Sequence, residues 1–361
     1  MRRLFCALGV SVCALATGCG SSGSGNGGSA TGGAGGASGG SAGTSSGGSA
    51  GSATGGSGGL PGSGGSPGSG GSSGSGGSGG TTGNHIKTVF LILMENHNWS
   101  AIKGSSSAPY INGTLLPKSS YATQYYNPPG IHPSEPNYIW LEAGTNFGIT
   151  NDSNPSSNHQ SSTQHLARQL KDANISWKSY QEDITGSVCP LTGVKEYAPK
   201  HNPNVFFDDM TGNLDPKDAY CIAHNRPYTE LATDMSKSTV PRYAFITPNL
   251  CHDMHNTCAP ENNSVKQGDD WLKKEVPKIM ASKAYKDNGA LFITWDESEG
   301  GEHPIGMIVL SPLAKGGGYT SNIKYTHSST LRTFQQIFGV SPFLGDAAKA
   351  TDLGDLFKSF P

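Results

Sequence analysis

Two apolar stretches each end directly in oxygen-bearing side chains. FLILMENHNW carries Glu95 and Asn96 at the end of its apolar run, and LFITWDE carries Asp296 and Glu297 in the same place. Carboxylate and amide oxygens are the ligands that hard divalent cations prefer, and a cation would neutralise acids that lie side by side. Any one of these acids alone would be better explained as a helix cap or a solvated residue. The repeated pattern favours a metal site built from all four.

A candidate nucleophile lies in the stretch GIHPSEPNYIWLEAG. Ser134 precedes Glu-Pro, and proline fits the first turn of a helix, so Ser134 is expected at a helix N-terminus. An ordinary N-cap is the alternative role. The free backbone N–H groups and the dipole of a helix start also bind phosphate and favour an alkoxide. Asn137, one turn later, is expected to donate to a phosphoryl oxygen, and His132 is a second expected substrate-binding residue.

Histidines form the third group of candidate residues. NLCHDMHN places His252, Asp253 and His255 within four positions, EHP contains His303, and YTH contains His327. A single histidine is most often a structural residue with satisfied hydrogen bonds. Three such sites, each following a predicted strand, favour ligands or proton donors around one pocket.

These side chains need a scaffold that brings strand ends together. Four apolar runs barely alternate in polarity and are predicted to be strands buried on both faces: Thr88 to Met94, Arg242 to Ile246, Ala290 to Trp295 and Gly306 to Leu310. Three stretches have apolar residues at helical spacing: Thr163 to Ala173, Asp269 to Ser282 and Ser329 to Phe338. This alternation predicts an α/β fold with a mostly parallel sheet between helices, in which ligands bind beyond the carboxyl ends of the strands.

The N-terminal part of the chain has a different composition. Residues 1–19 combine two arginines, a short apolar run and small residues before Cys19, which is typical of a signal peptide with a lipobox cysteine. Residues 20–83 are almost entirely Gly, Ser, Ala and Thr, so they are predicted to be a disordered linker. The folded domain is predicted to span 84–361. We therefore expect the protein to be exported and held at the cell envelope by a lipid anchor on Cys19, with the outer membrane as the expected membrane. A cleaved, secreted product is the alternative.

Charge and cysteine content indicate which partners and which cysteine chemistry to expect. The chain carries 25 basic and 27 acidic residues without a basic run, so a nucleic-acid partner is not expected. Four cysteines lie in the domain and predict two disulfides, because the protein is expected to be exported. Nearest neighbours would join Cys189 to Cys221 and Cys251 to Cys258, although the sequence alone allows three connectivities. A zinc–cysteine site is disfavoured because no pair has close CxxC spacing.

Six blocks together resemble a known family. They occur in the order MENHNW, HPSEPNYIWLEAG, YAPKHNPNVFF, PNLCHDMH, ITWDESEGGEHPIGMIVLSP and YTHSSTLRTFQQIFG. The combination resembles the bacterial phosphoesterase family that includes acid phosphatases and phospholipases of the C type, across residues 85 to 340. That family looks like a branch of the alkaline phosphatase superfamily. The resemblance implies an alkaline phosphatase-like sheet between helices, with metal ligands at strand ends.

The resemblance also implies roles for single residues. Glu95 and Asn96 match the first metal-binding pair of the family, and Asp296 and Glu297 match the second. Ser134 matches the serine or threonine nucleophile that also touches the metal. One divalent ion of unknown identity is therefore expected as cofactor, and a second ion is left open.

The histidines match pocket-lining positions of the family. His255, His303 and His327 would hold phosphate, protonate the leaving group or complete a second metal site. The sequence thus predicts a metal-dependent phosphoesterase that acts through a phosphoserine intermediate on a phosphate-ester substrate, and it leaves monoesters, diesters and phospholipid headgroups open. The competing hypothesis is a non-catalytic surface lipoprotein that uses the fold to bind a ligand. The oligomeric state is left open.

Overall fold

The computed structural model describes residues 85–361 of the chain. The predicted signal peptide, the lipobox cysteine Cys19 and the predicted linker lie outside these residues. The four cysteines of the domain form the two expected disulfides, Cys189–Cys221 and Cys251–Cys258, with Cα atoms 5.3 and 5.7 Å apart. None of the helices formed by residues 85–361 combines the length and apolar character needed to cross a bilayer.

The centre of the fold is an eight-stranded sheet with the order β5-β4-β6-β1-β7-β8-β2-β9. The strands β1 to β10 span Thr88–Met94, Ser120–Ala122, Tyr125–Tyr126, Trp177–Gln181, Asn225–Pro227, Tyr243–Thr247, Gly289–Trp295, Met307–Leu310, Tyr319–Ser321 and Tyr325–Thr326. Strands β5, β4, β6, β1 and β7 are parallel neighbours, and β8 runs antiparallel to both β7 and β2. Strands β3 and β10 form a separate parallel pair. The predicted α/β fold with a mostly parallel sheet is confirmed.

Helices surround this sheet. Helices α1 to α11 span Trp99–Ile102, Leu116–Lys118, Ser134–Ala143, Pro155–Asn158, Leu166–Asp172, Asp208–Thr211, Ala219–His224, Thr229–Lys237, Ser264–Ala281, Lys283–Lys286 and His327–Phe338. Single turns of other helix types occur at Ile111–Leu115 (π) and at Pro199–His201, Pro203–Val205, Gly345–Ala348 and Gly354–Leu356 (3-10). Helices α3, α5 and α11 contact one another, and α9 contacts α10.

Both faces of the sheet centre are covered. All residues of β1 and β7 are buried, which explains why their sequences do not alternate in polarity. On one face, Phe292 of β7 packs edge-on against Phe334 of α11 with ring centroids 5.1 Å apart. On the opposite face, Trp295 of β7 donates from Nε1 to the sulfur of Met254 at 3.4 Å. Residues three apart on a strand point to opposite faces, so β7 anchors a layer on each side.

The boundaries of the elements follow local capping. The apolar run Thr88–Met94 has the predicted bounds, and the other predicted strands differ by one residue at one or both ends. Helix α5 begins at Leu166, later than the periodicity predicts, because the His165 side chain accepts from the Arg168 backbone and caps it. Helix α9 begins at Ser264, earlier than predicted, because the Asn263 side chain caps its first turn.

Candidate active site

The two acidic strand ends lie side by side at the carboxyl edge of the sheet. Strands β1 and β7 are parallel neighbours with Met94 opposite Trp295, so the next residues, Glu95 and Asp296, leave the sheet together. The Asp296 backbone N–H donates to Met94 O at 2.9 Å, and the Asn96 backbone N–H donates to Asp296 Oδ1 at 2.9 Å. The arrangement expected from FLILMENHNW and LFITWDE therefore exists, with the backbone of Asn96 making the contact to Asp296.

Ser134 begins helix α3 and lies between the acids. Pro133 is the N-cap, so Ser134 is the first helical residue and not the capping residue. Its hydroxyl donates to Glu95 Oε2 at 3.0 Å and lies 3.5 Å from Glu297 Oε1. The helix start thus delivers a hydroxyl group to the carboxylates of both strand ends, a geometry that an ordinary capping serine does not need.

Without a bound ion, the surroundings of these carboxylates favour their protonated forms. Burial, together with Asp296 and Asp253, raises the pKa of Glu95 well above its usual range. Burial and the neighbouring Glu297 raise the pKa of Asp296 to about 7, and burial with Asp152 raises the pKa of Glu297 to about 7. Buried acids this close repel each other when ionised, which disfavours their charged forms.

This donor set fits a divalent cation. Glu95 and Asp296 are fully buried, and Asp296 Oδ2 has no hydrogen-bond partner within the described part of the chain. A buried carboxylate oxygen without a partner is costly unless an ion or another group satisfies it. Oxygen ligands from Glu95, Asp296, Glu297 and Ser134 suit a hard cation, which would remove the mutual repulsion of the acids.

His201 is a site residue that the sequence reasoning did not assign. It lies in the 3-10 turn Pro199–His201, with Nε2 3.2 Å from Glu95 Oε1 and Nδ1 3.2 Å from Asp253 Oδ2. Its ring stacks on Tyr138 with centroids 5.1 Å apart, and Tyr138 OH donates to Glu95 Oε1 at 2.6 Å. Burial lowers the pKa of His201 well below its usual range. His201 belongs to the block YAPKHNPNVFF of the family resemblance, which is the one sequence feature that points to this residue.

His255 lies at the same site. Ligand atoms of Glu95, His201 and His255 all fall within 4.8 Å of one another, so this second group is also able to hold a metal ion. The His255 backbone N–H donates to Asp253 Oδ1 at 2.8 Å, and its Nε2 lies 3.3 Å from Lys200 Nζ. Burial lowers the pKa of His255.

The two expected substrate-binding residues both contact Glu297. His132 donates from Nδ1 to Glu297 Oε2 at 2.5 Å, and its side chain is 38% exposed. Asn137 donates from Nδ2 to Ile131 O at 3.0 Å, to Pro133 O at 3.1 Å and to Glu297 Oε2 at 3.3 Å. Asn137 therefore fixes the turn before Ser134, whereas His132 lies at the rim between Glu297 and solvent.

The other two histidines occupy different places. His327 is fully buried at the start of α11, donates from Nε2 to Asp296 O at 2.5 Å and contacts Tyr125 OH through Nδ1 at 3.0 Å. Burial lowers its pKa to about 4, so it is neutral and holds the Asp296 backbone in place. His303 is exposed on the loop after β7, where its backbone N–H donates to Ser298 Oγ at 3.3 Å.

His252 points away from the cluster. It contacts Glu182 Oε2 through Nδ1 at 2.7 Å and lines a cavity of about 420 Å³ with Trp271 and the disulfide Cys251–Cys258. The loop between these cysteines therefore presents Asp253 and His255 to the site and His252 to the outside.

Fold and site together define a class of protein. The protein has an α/β fold in which the carboxyl ends of two strands and the start of one helix place a serine hydroxyl next to buried acids. The model of the Phosphoesterase family matches residues 119–341, more than half of the chain, and the chain belongs to this family. The matched part includes Ser134, Asp296 and Glu297. At the level of the family, this confirms the prediction of an enzyme that hydrolyses phosphoric esters. The alternative of a non-catalytic lipoprotein is not favoured.

Curated relatives are phosphatases by name. A phosphatidylinositol-3-phosphatase of Mycobacterium tuberculosis is 28% identical over 74% of this chain and 82% of its own length. A phosphate-repressible acid phosphatase of Penicillium chrysogenum is 29% identical over 59% of this chain, and an acid phosphatase of Aspergillus niger is 27% identical over 70%. The chain spans only 51% and 58% of these two fungal proteins.

Solved structures are similar in fold. A Bacteroides thetaiotaomicron protein from a study of glycosaminoglycan metabolism has a TM-score of 0.51 and 12% identity, over 76% of this chain and 77% of that chain. A Vibrio parahaemolyticus protein in the alkaline phosphatase superfamily has a TM-score of 0.49 and 13% identity, over 72% and 68%. At such identity the likeness concerns the fold alone.

Proposed function

We propose that this protein is a metal-dependent phosphoesterase that hydrolyses phosphate monoesters through a phosphoserine at Ser134. The observation that carries the proposal is the position of the Ser134 hydroxyl, 3.0 Å from Glu95 and 3.5 Å from Glu297 at the first residue of a helix. A capping role explains neither the buried acids around this hydroxyl nor its contact with both strand ends.

The acids and Ser134 would hold one divalent ion, with Asn96 beside them. Such an ion, when bound, supplies positive charge that lowers the pKa of a coordinated hydroxyl and shields a phosphoryl group. Glu95, which would be ionised with the ion bound, accepts the Ser134 hydroxyl proton at Oε2 as the oxygen attacks phosphorus, and the helix start favours the resulting anion. The bond from phosphorus to the alcohol oxygen breaks as the bond to Ser134 Oγ forms.

The second half of the reaction restores the serine. The leaving alcohol needs a proton, and His132 is the imidazole at the rim of the site that can supply it, because both ring nitrogens of His255 are engaged by Lys200 and Asn256. Water then attacks phosphorus and gives one proton back to the imidazole. The bond to Ser134 Oγ breaks, and the proton held by Glu95 returns to that oxygen as phosphate leaves. His327 keeps Asp296 in position through its backbone contact and takes no part in proton transfer.

Monoesters are the proposed substrate class. The curated relatives described above carry the names of phosphatases, including one for a phosphoinositide, and a phosphatase removes a terminal phosphate. A matched pair of assays with nitrophenyl phosphate and bis-nitrophenyl phosphate separates monoesters from diesters. Faster turnover of the diester would contradict this part of the proposal.

Ser134→Ala tests the mechanism. We expect metal content close to that of the wild type and a loss of about a thousandfold or more in kcat, because the covalent nucleophile is gone. Ser328→Ala is the matched control: Ser328 is a buried helical serine that accepts from Trp140 Nε1 at 2.8 Å, away from the acids. Acid quenching with labelled substrate should trap phosphate on the wild type and the control only. Turnover near wild type in Ser134→Ala would refute the mechanism.

We also propose that the enzyme acts outside the cytoplasm, anchored through a lipid on Cys19. This rests on the order of residue types in 1–19. Mass spectrometry of the mature protein and of Cys19→Ser tests it: a diacylglyceryl mass on the wild type alone is expected, and an unmodified cleaved terminus would favour secretion.

A further inference from the structure

Lys200 is a basic side chain in contact with the site that the mechanism above does not use. It lies in the 3-10 turn Pro199–His201, next to His201, and its side chain is 19% exposed. Its Nζ donates to Asp152 Oδ2 at 2.9 Å and lies 3.3 Å from His255 Nε2. Within residues 85–361 these two are its hydrogen-bond partners, and an ammonium group has three N–H donors.

The hydrogen bonds of His255 define the direction of the second contact. His255 Nδ1 lies 2.9 Å from Asn256 Oδ1, an acceptor, so Nδ1 carries the proton. Nε2 of the neutral ring is then an acceptor and receives its hydrogen bond from Lys200. A second metal ion on His255 Nε2 would have to displace this ammonium group. Lys200 therefore supplies positive charge at the acceptor atom where such an ion would bind.

Asp152 ties Lys200 to the nucleophile helix. Asp152 Oδ1 accepts the backbone N–H of Glu135, the residue after Ser134, at 3.0 Å, while Oδ2 accepts from Lys200. The ammonium group is thus fixed relative to the helix start. Burial opposes its charge, but the hydrogen bond to Asp152 and the nearby acids Glu95 and Asp296 raise the pKa of Lys200 above its ordinary value.

The arginines of the domain are engaged elsewhere. Their side chains bond to groups outside the acid cluster: Arg168 to Asp172 and Asp209, Arg226 to Glu230 and backbone carbonyls, Arg242 to Lys87 O, and Arg332 to Ala347 O and Ala348 O. No arginine of the described chain is therefore available as the bidentate clamp that often binds phosphate. A lysine is the other common phosphate-binding cation, acting as a point charge.

We propose that Lys200 is a substrate-binding residue that donates its third N–H to a phosphoryl oxygen. The proposal rests on the proposed function for the identity of the substrate, but it also requires that inorganic phosphate, the product, binds through Lys200. The competing explanation is that the Lys200–Asp152 pair only fixes the loop to the helix.

Lys200→Met removes the charge while keeping a long apolar side chain. Lys178→Met is the matched control, because Lys178 is 23% exposed and paired with Glu230 and Asp234 away from the site. We expect the Kd of metal-loaded Lys200→Met for inorganic phosphate, measured by calorimetry, to rise about tenfold or more. The KM for nitrophenyl phosphate should rise with it, metal content should stay constant, and Lys200→Arg should recover part of the affinity. Lys178→Met should match the wild type in Kd and KM.

The outcomes are separable. Unchanged Kd and KM in folded Lys200→Met, with a lowered melting temperature alone, would show a structural role and overturn the inference. Lys200→Gln, which keeps a donor for Asp152 without the charge, gives the same comparison if the methionine variant does not fold. A wild type that forms phosphoserine but binds phosphate independently of Lys200 refutes this inference alone. A wild type that binds phosphate through Lys200 but forms no phosphoserine refutes the mechanism alone.

Discussion

At the scale of single residues, Asp296 offers a sharp test of metal binding because its Oδ2 is buried without a partner among residues 85–361. Asp296→Asn keeps the shape and removes the charge, so we expect bound metal and turnover to fall together. Glu142→Gln is the matched control: Glu142 is also buried with a pKa raised by burial to about 7, but its partner is Tyr243. Metal analysis beside kinetics on both variants checks this. Full metal content in Asp296→Asn would contradict the assigned ligand set.

Tyr138 provides a second test at this scale, since it holds Glu95 without being a ligand. Its hydroxyl donates to Glu95 Oε1 at 2.6 Å in a fully buried position. Loss of an outer partner of a metal ligand typically costs about 10- to 100-fold in metal affinity, and we expect this for Tyr138→Phe. Tyr243→Phe removes an equivalent bond, 2.7 Å to Glu142, and should leave metal affinity unchanged. Chelator competition measures the metal affinity of both variants. Equal metal affinities for Tyr138→Phe and Tyr243→Phe would show that metal binding by Glu95 does not depend on the Tyr138 hydrogen bond.

The residues predicted from the sequence were those with a local signal. Glu95 and Asp296 were recognisable because a carboxylate directly after a buried strand has few structural explanations. His201 and Lys200 follow no strand or helix pattern, and only folding brings the Pro199–His201 turn to β1. The structural role of His327 was not predictable from the sequence either. Its Nε2 donates to a backbone oxygen, and a pattern of side chains does not reveal a backbone partner.

At the scale of elements, the loop closed by Cys251–Cys258 positions part of the site. It spans a sequence separation of 7 and carries Asp253, whose backbone oxygen accepts from the Glu95 N–H at 2.7 Å, and His255. We expect the double variant Cys251→Ser/Cys258→Ser to lose activity through looser placement of these residues. Because the closed loop is short, the chain-entropy cost to the free energy of unfolding is only about 2 to 3 kcal/mol.

The second disulfide is the control for this prediction. Cys189–Cys221 closes a sequence separation of 32, so its loss should cost about 3 to 4 kcal/mol of unfolding free energy. Lys200 and His201 lie within this longer loop, but Lys200 stays tied to Asp152 and His201 to Glu95 and Asp253. Activity of the molecules that remain folded should persist. Denaturant unfolding and kinetics on both double variants give the comparison. Equal activity losses, or a larger one for Cys189–Cys221, would contradict a positioning role for the short loop.

Element types were predictable where one cause dominated. The fully buried strands β1 and β7 were recognisable from unbroken apolar runs. The short strands Ser120–Ala122, Asn225–Pro227 and Tyr319–Ser321 carry no such signal, because a strand of three residues is defined by its neighbours and not by its own periodicity. The order of strands in the sheet likewise depends on long-range packing.

At the scale of the whole molecule, the buried acids couple metal binding to folding. Asp296 and Glu297 have folded-state pKa values of about 7 against ordinary values of 3.8 and 4.5. In the metal-free protein, the folded state therefore keeps protons that the unfolded state has already released between about pH 4 and pH 7. The contribution of these two acids to the free energy of unfolding is therefore largest at the low end of this range and declines as pH rises toward and through their folded pKa values.

A divalent ion reverses this trend because it binds the deprotonated acids, so protons compete with it. Between about pH 4 and pH 7 we expect these two acids to lower the melting temperature of the chelated protein, against the opposite contribution of the buried neutral His327, and the increase produced by saturating metal to grow. Glu297→Gln removes one of the two titrating acids, so its chelated form should show a shallower decline. Calorimetric melts at several pH values, with and without metal, measure both slopes. If the melting temperatures of chelated and metal-loaded wild type changed with pH in parallel, the ion would not bind at these carboxylates. If chelated Glu297→Gln showed the same slope as chelated wild type, Glu297 would not be one of the acids that couple folding to pH.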